Sequence, residues 1–330
     1  MSNRVLHRAV WHGRKLGWNE RKNRWNLGEH GNGISSMIVI AKKFGQLGNR
    51  LFLYGHLIAA AEEYGVPLVN PCFSDYADLF PATKGDIWCQ YPRGESISGE
   101  PSQFTREATA RITSLTARGL GILGGSNRKV EVVRLAGSRQ SCDLGSDEFA
   151  SLVWSKHVLV QGWLFRSERL FKKHREKILE HFAISEQHQR IVDSTLTSIR
   201  EGADVVVGIH LRQGDYANFM NGKYFFSTSQ YAELMHEIAR QLSPKRVRFL
   251  VCGNGTFDET DFPGLSVCCG AGGVIEDLYS FAGVDLLVGP PSTFTGWASF
   301  YGNVPLYSID SMEESPDFGE KLQGRSGLAA

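Results

Sequence analysis

The sequence has 330 residues, of which 42% are hydrophobic, and its 36 Lys and Arg balance 35 Asp and Glu. Chains longer than roughly 250 to 300 residues usually divide into two domains, so we expect two hydrophobic cores with a cleft between them. The composition excludes a disordered or fibrous protein, and the near-zero net charge excludes a global field that would attract nucleic acid or an anionic membrane.

The cysteines and the apolar runs predict a cytoplasmic protein. The six cysteines form no C-x-x-C pattern, so we expect reduced thiols. No apolar run reaches the roughly 20 residues that a membrane-spanning helix needs, and the N-terminus lacks the hydrophobic stretch of a signal peptide. We therefore predict no membrane span and no nucleic-acid partner.

Residues 1–36 form a basic segment without the periodicity of a helix or a strand, which is typical of a solvated tail. Met37 directly precedes the apolar run at 38–41, so the segment is either an extension or a consequence of start-codon choice. A nucleic-acid-binding arm is a less favoured alternative. We place an N-terminal domain at residues 37–185 and a C-terminal domain at residues 186–330.

The N-terminal domain begins with alternating strand and helix patterns. A strand, a helix and a second strand are predicted at 38–41, 49–63 and 68–70. Polar and small residues dominate 96–145, which gives no regular pattern there, and 119–126 has the composition of a loop. A strand at 158–163 then precedes two charged helices, at 167–182 and 186–200, which we expect to bridge the domains.

The C-terminal domain continues the alternation. Its predicted strands lie at 205–210, 247–252, 265–268, 285–288 and 305–309, and its helices at 231–242, 275–283 and 293–301. Such alternation specifies a parallel, doubly wound sheet with helices on both faces. Ligands of these sheets bind at the carboxyl ends of the strands, so we expect the functional residues there.

The first segment with chemical character is Gly-Gln-Leu-Gly-Asn at 45–49, between the first strand and the first helix. Glycines let the backbone approach a ligand, and the free N–H groups of a helix start attract an anion. Asn49 and Arg50 would add polar side chains beside the cleft. A plain tight turn is the alternative interpretation.

The second segment, 205–216, is an apolar strand that ends in a charged cluster of His210, Arg212 and Asp215 rather than in ordinary turn residues. The planar guanidinium of Arg212 can bind a phosphate with a direction that lysine lacks. The alternative is that Arg212 and Asp215 pair with each other and shape a loop.

The third segment, 289–300, joins a strand directly to a helix. Ser292 is well placed as the N-cap, and its neighbours expose N–H donors to an anion; capping alone is the alternative. Upstream, Glu276 and Asp277 begin another helix, where they complement the helix dipole or bind a ligand.

Together the three segments resemble the fucosyltransferase superfamily, most closely the α-1,2-fucosyltransferase family with its bacterial members. Residues 45–49 are similar to its G-x-L-G-N start, 210–215 to its H-x-R-R-x-D motif, and 291–298 to its S-T-F-x-x-W-A segment. The motifs occur in the expected order, and jointly they are far more specific than singly.

The resemblance implies an α/β, GT-B-like fold with two Rossmann-like domains facing across a cleft. It implies an inverting glycosyltransferase that moves fucose from GDP-fucose to a glycan, a galactoside in the first instance, without a metal ion or a cofactor besides the donor. The C-terminal domain would hold GDP-fucose, and the N-terminal domain would contribute the glycine loop and the acceptor surface.

The resemblance also assigns roles to single residues. Arg212 would stabilise the charge that builds on the β-phosphate, Asp277 would recognise guanine or ribose, and Asn49 would lie near the transferred sugar. The catalytic set is Arg212, Asp215 and Asn49. The donor-binding set is Gly45, Gly48, His210, Arg212, Asp277, Ser292, Thr293 and Phe294.

One position departs from the family pattern, since Gln213 replaces the second arginine of H-x-R-R-x-D. The departure concerns donor affinity or linkage. Asp215 is either the general base or a residue that orients Arg212. Two other functions stay open: a related transferase with another nucleotide-sugar donor, and a non-catalytic protein that binds a nucleotide sugar.

Overall fold

The structure is a computed structural model that describes residues 36–94, 99–122, 129–137, 140–313 and 316–323. The predicted basic extension therefore lies outside the described residues except for its last one. The side chain of Asp215 also lies outside the described part of the chain.

The described ranges contain alternating strands and helices. The strands are β1 (Ile38–Ile40), β2 (Leu68–Val69), β3 (Gln90–Tyr91), β4 (Val130–Arg134), β5 (Cys142–Asp143), β6 (His157–Gln161), β7 (Phe165–Arg166), β8 (Val205–Leu211), β9 (Val247–Gly253), β10 (Val267–Cys269), β11 (Leu286–Gly289) and β12 (Leu306–Ser308). The α-helices are α1 (Leu47–Tyr64), α2 (Pro81–Lys84), α3 (Gln103–Ile122), α4 (Asp147–Ser155), α5 (Glu168–Lys173), α6 (Arg175–His181), α7 (Glu186–Arg200), α8 (Thr228–Gln241), α9 (Val274–Phe281), α10 (Thr293–Gly302) and α11 (Phe318–Gln323). Of these helices, none has the length and apolar character that crossing a membrane requires.

The strands form two five-stranded sheets and one small ribbon. The first sheet has the order β3-β2-β1-β6-β4, in which β3 runs antiparallel to β2 and the other neighbours are parallel. The second sheet, β10-β9-β8-β11-β12, is parallel throughout, and β5 pairs with β7. This order confirms the predicted α/β fold with two Rossmann-like sheets.

The central strand of the second sheet is buried along its whole length, as its run of apolar residues predicts. Gly208 lies in the middle of β8, where a Cβ atom would come within 2.8 Å of the Leu287 side chain and 2.9 Å of the Phe281 ring. The strand therefore needs its smallest residue where α9 and β11 approach most closely.

An aromatic core joins the two sheets. Trp297 of α10 is fully buried, and its ring lies edge-on to Phe52 of α1 at 5.6 Å and to Phe182 at 5.1 Å. The guanidinium of Arg175 donates to the carbonyls of Phe300 and Tyr301 at 3.1 and 2.7 Å. A cation at the carboxyl end of α10 also complements its dipole. The two sheets thus share one packed contact region.

The region 96–145 is more regular than its composition predicts. It contains β4 and the helix α3, which runs through 119–122 of the predicted loop. The buried residues of α3 are Arg106, Ala110 and Ala117. Because two alanines and an arginine face the protein, the large apolar residues that reveal a helix face are missing from the pattern.

The helix predicted at 167–182 is in fact two helices, α5 and α6, which meet at His174. Its backbone leaves helical geometry there, with φ of −104° and ψ of 22°. A ring nitrogen of His174 lies 2.8 Å from a carboxylate oxygen of Glu63 on α1. This tertiary contact accompanies a break that local sequence does not signal.

Candidate active site

The predicted donor residues lie where the strands of the second sheet end. Arg212 directly follows β8, Ser292 follows β11, and Asp277 lies in α9 just after β10. Gly289, the last residue of β11, approaches β8 so closely that a Cβ atom would lie 2.8 Å from that of His210. The carboxyl edge therefore collects side chains from three separate parts of the sequence.

The glycine loop reaches this edge from the first sheet. Gly45 adopts a left-handed φ of +60°, and a Cβ atom there would lie 2.0 Å from Nδ2 of Asn49. At Gly48 a Cβ atom would lie 2.8 Å from the hydroxyl of Thr293 and 2.9 Å from the backbone nitrogen of Phe294. Both glycines are therefore required by close approach, the first within the loop and the second against α10.

Two helix amino termini consequently meet at one place. Gln46, the residue before α1, makes no side-chain cap, whereas the Ser292 hydroxyl caps α10 by accepting from the Phe294 N–H at 3.1 Å. Capping, the alternative considered for Ser292, is thus present. The positive ends of both helix dipoles still point to the same region, which favours an anion.

Arg212 lies between β8 and the loop that begins α10. Its guanidinium carbon is 5.0 Å from the centre of the Tyr216 ring, and the Tyr216 hydroxyl donates to the Pro291 carbonyl at 2.6 Å. The backbone N–H of Arg212 donates to the Tyr231 hydroxyl at 3.5 Å. The side chain of Asp215 is not among those that the structure describes, so a pair between Arg212 and Asp215 stays a prediction.

His210 is buried beneath the first turn of α10. Its ring stacks on Phe294 at a centroid distance of 5.2 Å and meets Phe281 edge-on at 6.0 Å. The structure therefore brings two predicted donor-site residues together, and His210 supports Phe294 from below.

Gln213, the departure from the family motif, is held by its own neighbours. Its side-chain amide donates to the Phe226 carbonyl at 3.1 Å and to the Thr228 hydroxyl at 3.3 Å. Its backbone N–H donates to Oδ1 of Asn254 at 2.9 Å. The residue anchors the loop after β8 to the start of α8 and to the end of β9.

Asp277 faces the turn that follows β10. Its carboxylate accepts from the Gly272 N–H at 3.3 Å, and burial raises its pKa, a shift that the hydrogen bonds from Gly272 and the Cys252 thiol partly oppose. A carboxylate oxygen of the neighbouring Glu276 lies 2.6 Å from Nδ1 of His188 in α7. Of the two acids at this helix start, Asp277 is the one directed to the sheet edge.

The side chain of Arg50 is engaged by partners in and near the glycine loop. It pairs with Asp75 at 2.6 Å and donates to the carbonyls of Gly45 and Cys72 at 3.1 and 3.2 Å. Because these partners lie in the first domain and include the Gly45 carbonyl, Arg50 ties the glycine loop to that domain.

Comparisons with known proteins agree with this architecture. No protein-family profile and no curated protein sequence matches the chain. In structure it is similar to a mutant of Arabidopsis thaliana FUT1 in complex with GDP, with a TM-score of 0.54 and 15% identity over 89% of this chain and 75% of that one. It is also similar to NodZ α-1,6-fucosyltransferase co-crystallised with GDP, with a TM-score of 0.50 and 16% identity over 84% and 96%. NodZ has also been solved from Bradyrhizobium.

The chain has the GT-B fold of fucosyltransferases. Identities this low show a shared fold, so the α-1,2 family stays a prediction. Within the GT-B fold, the edge that collects Arg212, Asp277 and Ser292 belongs to the second Rossmann-like domain, and the first contributes Gly45 and Gly48.

Sequence reasoning missed two residues that organise this candidate site. Tyr216 connects Arg212 to the loop before α10, and Asn254 holds the backbone after β8. Two features of the sequence could have identified them. Tyr216 is an aromatic residue in the polar stretch that follows β8, and Gly-Asn-Gly at 253–255 lies at the end of the next strand.

Proposed function

We propose that this protein is a fucosyltransferase that moves fucose from GDP-fucose to a hydroxyl of a glycan, with inversion and without a metal ion. One observation carries the proposal: three segments that are far apart in sequence meet at one place. Gly48 abuts Thr293, the Tyr216 hydroxyl reaches Pro291, and His210 stacks on Phe294.

The diphosphate of the donor would occupy the region between the two helix starts. The N–H groups in the first turn of α1, which have no partner within the helix, and the dipoles of α1 and α10 favour negative charge there. Arg212 would supply the formal positive charge, and Thr293 with Ser292 would contribute hydroxyl and backbone donors. Asp277 would accept from the guanine or the ribose, and Phe294 would line the donor site.

In the proposed reaction the acceptor oxygen attacks the anomeric carbon of fucose on the face opposite GDP. The bond from that carbon to the β-phosphate oxygen breaks, GDP leaves with the electron pair, and the hydroxyl proton passes to a base or to water. Arg212 stabilises the charge on the departing phosphate, and Asn49 orients the sugar. Asp215 is the base or the residue that orients Arg212, as the motif alone left open.

The first test measures GDP release from GDP-fucose with a panel of galactosides. We expect Arg212→Ala to lower kcat by about 100-fold to 1,000-fold, since a preformed charge aimed at the leaving group is lost, and Arg212→Lys to recover part of it. Arg246→Ala is the matched control, because Arg246 pairs with Asp204 at the opposite edge of the same sheet. Full turnover by Arg212→Ala would refute the proposed role.

A second measurement distinguishes a GDP-sugar donor from another nucleotide sugar and a transferase from a non-catalytic binding protein. Thermal unfolding with GDP, UDP and ADP reports which nucleotide the folded state binds, since a ligand stabilises the state to which it binds. Greater stabilisation by UDP or ADP than by GDP would indicate a donor with that nucleotide instead of GDP-fucose. GDP binding without transfer would favour a non-catalytic binding protein. Activity that survives EDTA supports the metal-free reaction.

A further inference from the structure

A cavity of about 780 Å³ opens at the carboxyl edge of the first sheet. Lys42 and Phe44 line it from the loop after β1, Gln161 and Trp163 from the end of β6, and Arg134 from the end of β4. The helix α3 closes it on the remaining side. The cavity thus occupies, in the first domain, the position that the proposed donor site occupies in the second.

The cavity is continuous in sequence with the glycine loop. Phe44 lines it, and Gly45 is the next residue. A molecule held in the cavity would therefore lie beside the loop whose Gly48 touches α10. No residue of the proposed donor set lines the cavity, which makes it a separate site.

The lining carries positive charge without compensation. Lys42, Arg118 and Arg134 contribute to it, and no Asp or Glu of the described residues lines it. Within the described ranges, none of the three cations has a carboxylate within ion-pair distance. Three neighbouring cations repel one another, and a bound anion would relieve that repulsion.

One of these cations is positioned by a buried partner. The Nε of Arg134 donates to Oε1 of Gln161 at 3.1 Å, and Gln161 is 5% exposed. Gln161 in turn donates to the Ala41 carbonyl at 3.5 Å. The bond uses Nε, so it does not occupy the two terminal nitrogens of the Arg134 guanidinium, which are the pair that can bind a planar anion.

The cavity also offers aromatic surface. Trp163 lines it, and the guanidinium carbon of Arg166 lies 4.1 Å from the Trp163 ring centre, which fixes the indole. The Phe44 ring lies 4.8 Å from the Lys42 ammonium. Aromatic rings combined with a few polar groups are typical of sites for small molecules that have apolar and polar faces, and a sugar ring has both.

We propose that this cavity binds the acceptor and that the acceptor is an anionic saccharide, with its carboxylate or phosphate on Lys42, Arg118 and Arg134 and a sugar ring against Trp163. The inference rests on the proposed transferase activity, since it names the substrate class of the same enzyme. It adds to that activity a binding site in the first domain and a negative charge on the acceptor, neither of which fucose transfer by itself requires.

The experiment measures saccharide binding to the GDP-bound protein by isothermal titration calorimetry. The ligands are a neutral galactoside, the same galactoside with a uronic acid, and the same galactoside with a phosphate monoester. We expect an anionic ligand to bind about tenfold more tightly or better, because charged hydrogen bonds exceed neutral ones. Comparison of the ligand with a uronic acid and the ligand with a phosphate monoester identifies which anion the site prefers.

Variants test whether the cavity causes the preference. Arg118→Gln and Lys42→Gln should each reduce the preference for the anion roughly threefold. Arg111→Gln is the matched control, because Arg111 lies on the same helix, two turns before Arg118, and does not line the cavity. An undiminished preference in both cavity variants would overturn the site.

The outcomes also separate this inference from the proposed function. Transfer of fucose to neutral and anionic galactosides with equal KM would overturn the cavity proposal and leave the transferase standing. Absence of GDP binding would refute the transferase, whereas selective binding of anionic saccharides by the nucleotide-free protein would still support the site. GDP affinity that is unchanged in Arg118→Gln confirms that the variant is folded.

Discussion

Tyr216 illustrates how a single residue links elements that the sequence presents separately. Its ring lies under the guanidinium of Arg212, and its hydroxyl bonds the Pro291 carbonyl. The Tyr216 ring also stacks on Phe219, with a distance of 5.1 Å between the ring centres. The position of Arg212 therefore depends on an aromatic residue that is four positions away in the chain and on a loop 75 residues further on.

Two glycine substitutions distinguish the effect of the close contact between α1 and α10 from the effect of backbone strain. We expect Gly48→Ala to weaken GDP binding about tenfold or more, because the new methyl group would push Thr293 and the start of α10 away. Helix propensity alone would favour this substitution by up to about 1 kcal/mol, so a loss of affinity reports the contact. Calorimetry with GDP gives the answer.

Gly65→Ala is the matched control for that experiment. Gly65 has a left-handed φ of +63° at the end of α1, and its Cβ position has no atom within 4 Å. We expect a loss of roughly 1 kcal/mol in unfolding free energy from backbone strain and no change in GDP affinity. Equal GDP affinities of the two variants would contradict the role assigned to Gly48.

At the scale of elements, an ion-pair network holds the glycine loop and α1 to the first domain. Asp75 pairs with Lys43 at 2.6 Å and with Arg50 at 2.6 Å, and Lys43 also pairs with Glu107 of α3 at 2.6 Å. Burial opposes ionisation of Asp75, but the hydrogen bond from Lys43 and the charge of Arg50 prevail, so its pKa lies well below the usual range.

The pKa of Asp75 predicts how stability depends on pH. A lowered carboxyl pKa stabilises the fold above the unfolded pKa of about 3.9, and this contribution is lost as the pH falls towards the folded value. Asp75→Asn should therefore cost roughly 0.5 to 1 kcal/mol at pH 7, and the difference from the unmodified protein should shrink below about pH 4. Urea unfolding at several pH values measures it.

The matched control for Asp75 is Asp204. Its pKa is lowered to about 2 by the hydrogen bonds from Arg246, and the pair lies at the amino edge of the second sheet, away from the glycine loop. Asp204→Asn should show the same sign of pH dependence and leave GDP affinity unchanged. Asp75→Asn should weaken GDP binding, because Arg50 also donates to the Gly45 carbonyl. Equal GDP affinities would indicate that the network does not act on the loop.

At the scale of the whole molecule, the aromatic core makes the two Rossmann-like domains mutually dependent. Trp297 contacts Phe52 of the first domain, and a Cβ atom at Gly55 would lie 2.9 Å from the Phe171 ring and 3.4 Å from Trp297. Such close packing leaves little space for either domain to move without the other.

Trp297→Ala tests this dependence. We expect the variant to lose roughly 3 to 5 kcal/mol in unfolding free energy, as for other fully buried aromatic residues. For the unmodified protein in urea, we expect circular dichroism and tryptophan fluorescence to report the same single unfolding transition. Trp88→Ala is the surface control, since Trp88 is 45% exposed. Two separated transitions in the unmodified protein would show that the domains unfold independently.

The sequence alone determined the fold class, the carboxyl edges and the three segments at the candidate site. It could do so because apolar runs such as 205–211 and glycine-rich strand ends at 45–48 are local signals that strand burial and tight turns impose. The helix α3 escaped detection, because alanines form its buried face, and so did the break at His174, where the partner is Glu63 from a distant helix.

The tertiary structure decided which polar residues act together. Arg50 in the first turn of α1 and Arg212 just beyond β8 both belong to the candidate segments, yet Arg50 pairs with Asp75 of the first domain and Arg212 lies at the carboxyl edge of the second sheet beside Tyr216. Likewise, only folding brings Gly48 against Thr293 and collects Lys42, Arg118 and Arg134 around one cavity. Contacts between residues far apart in sequence depend on how helices and sheets pack, and no local pattern encodes that packing.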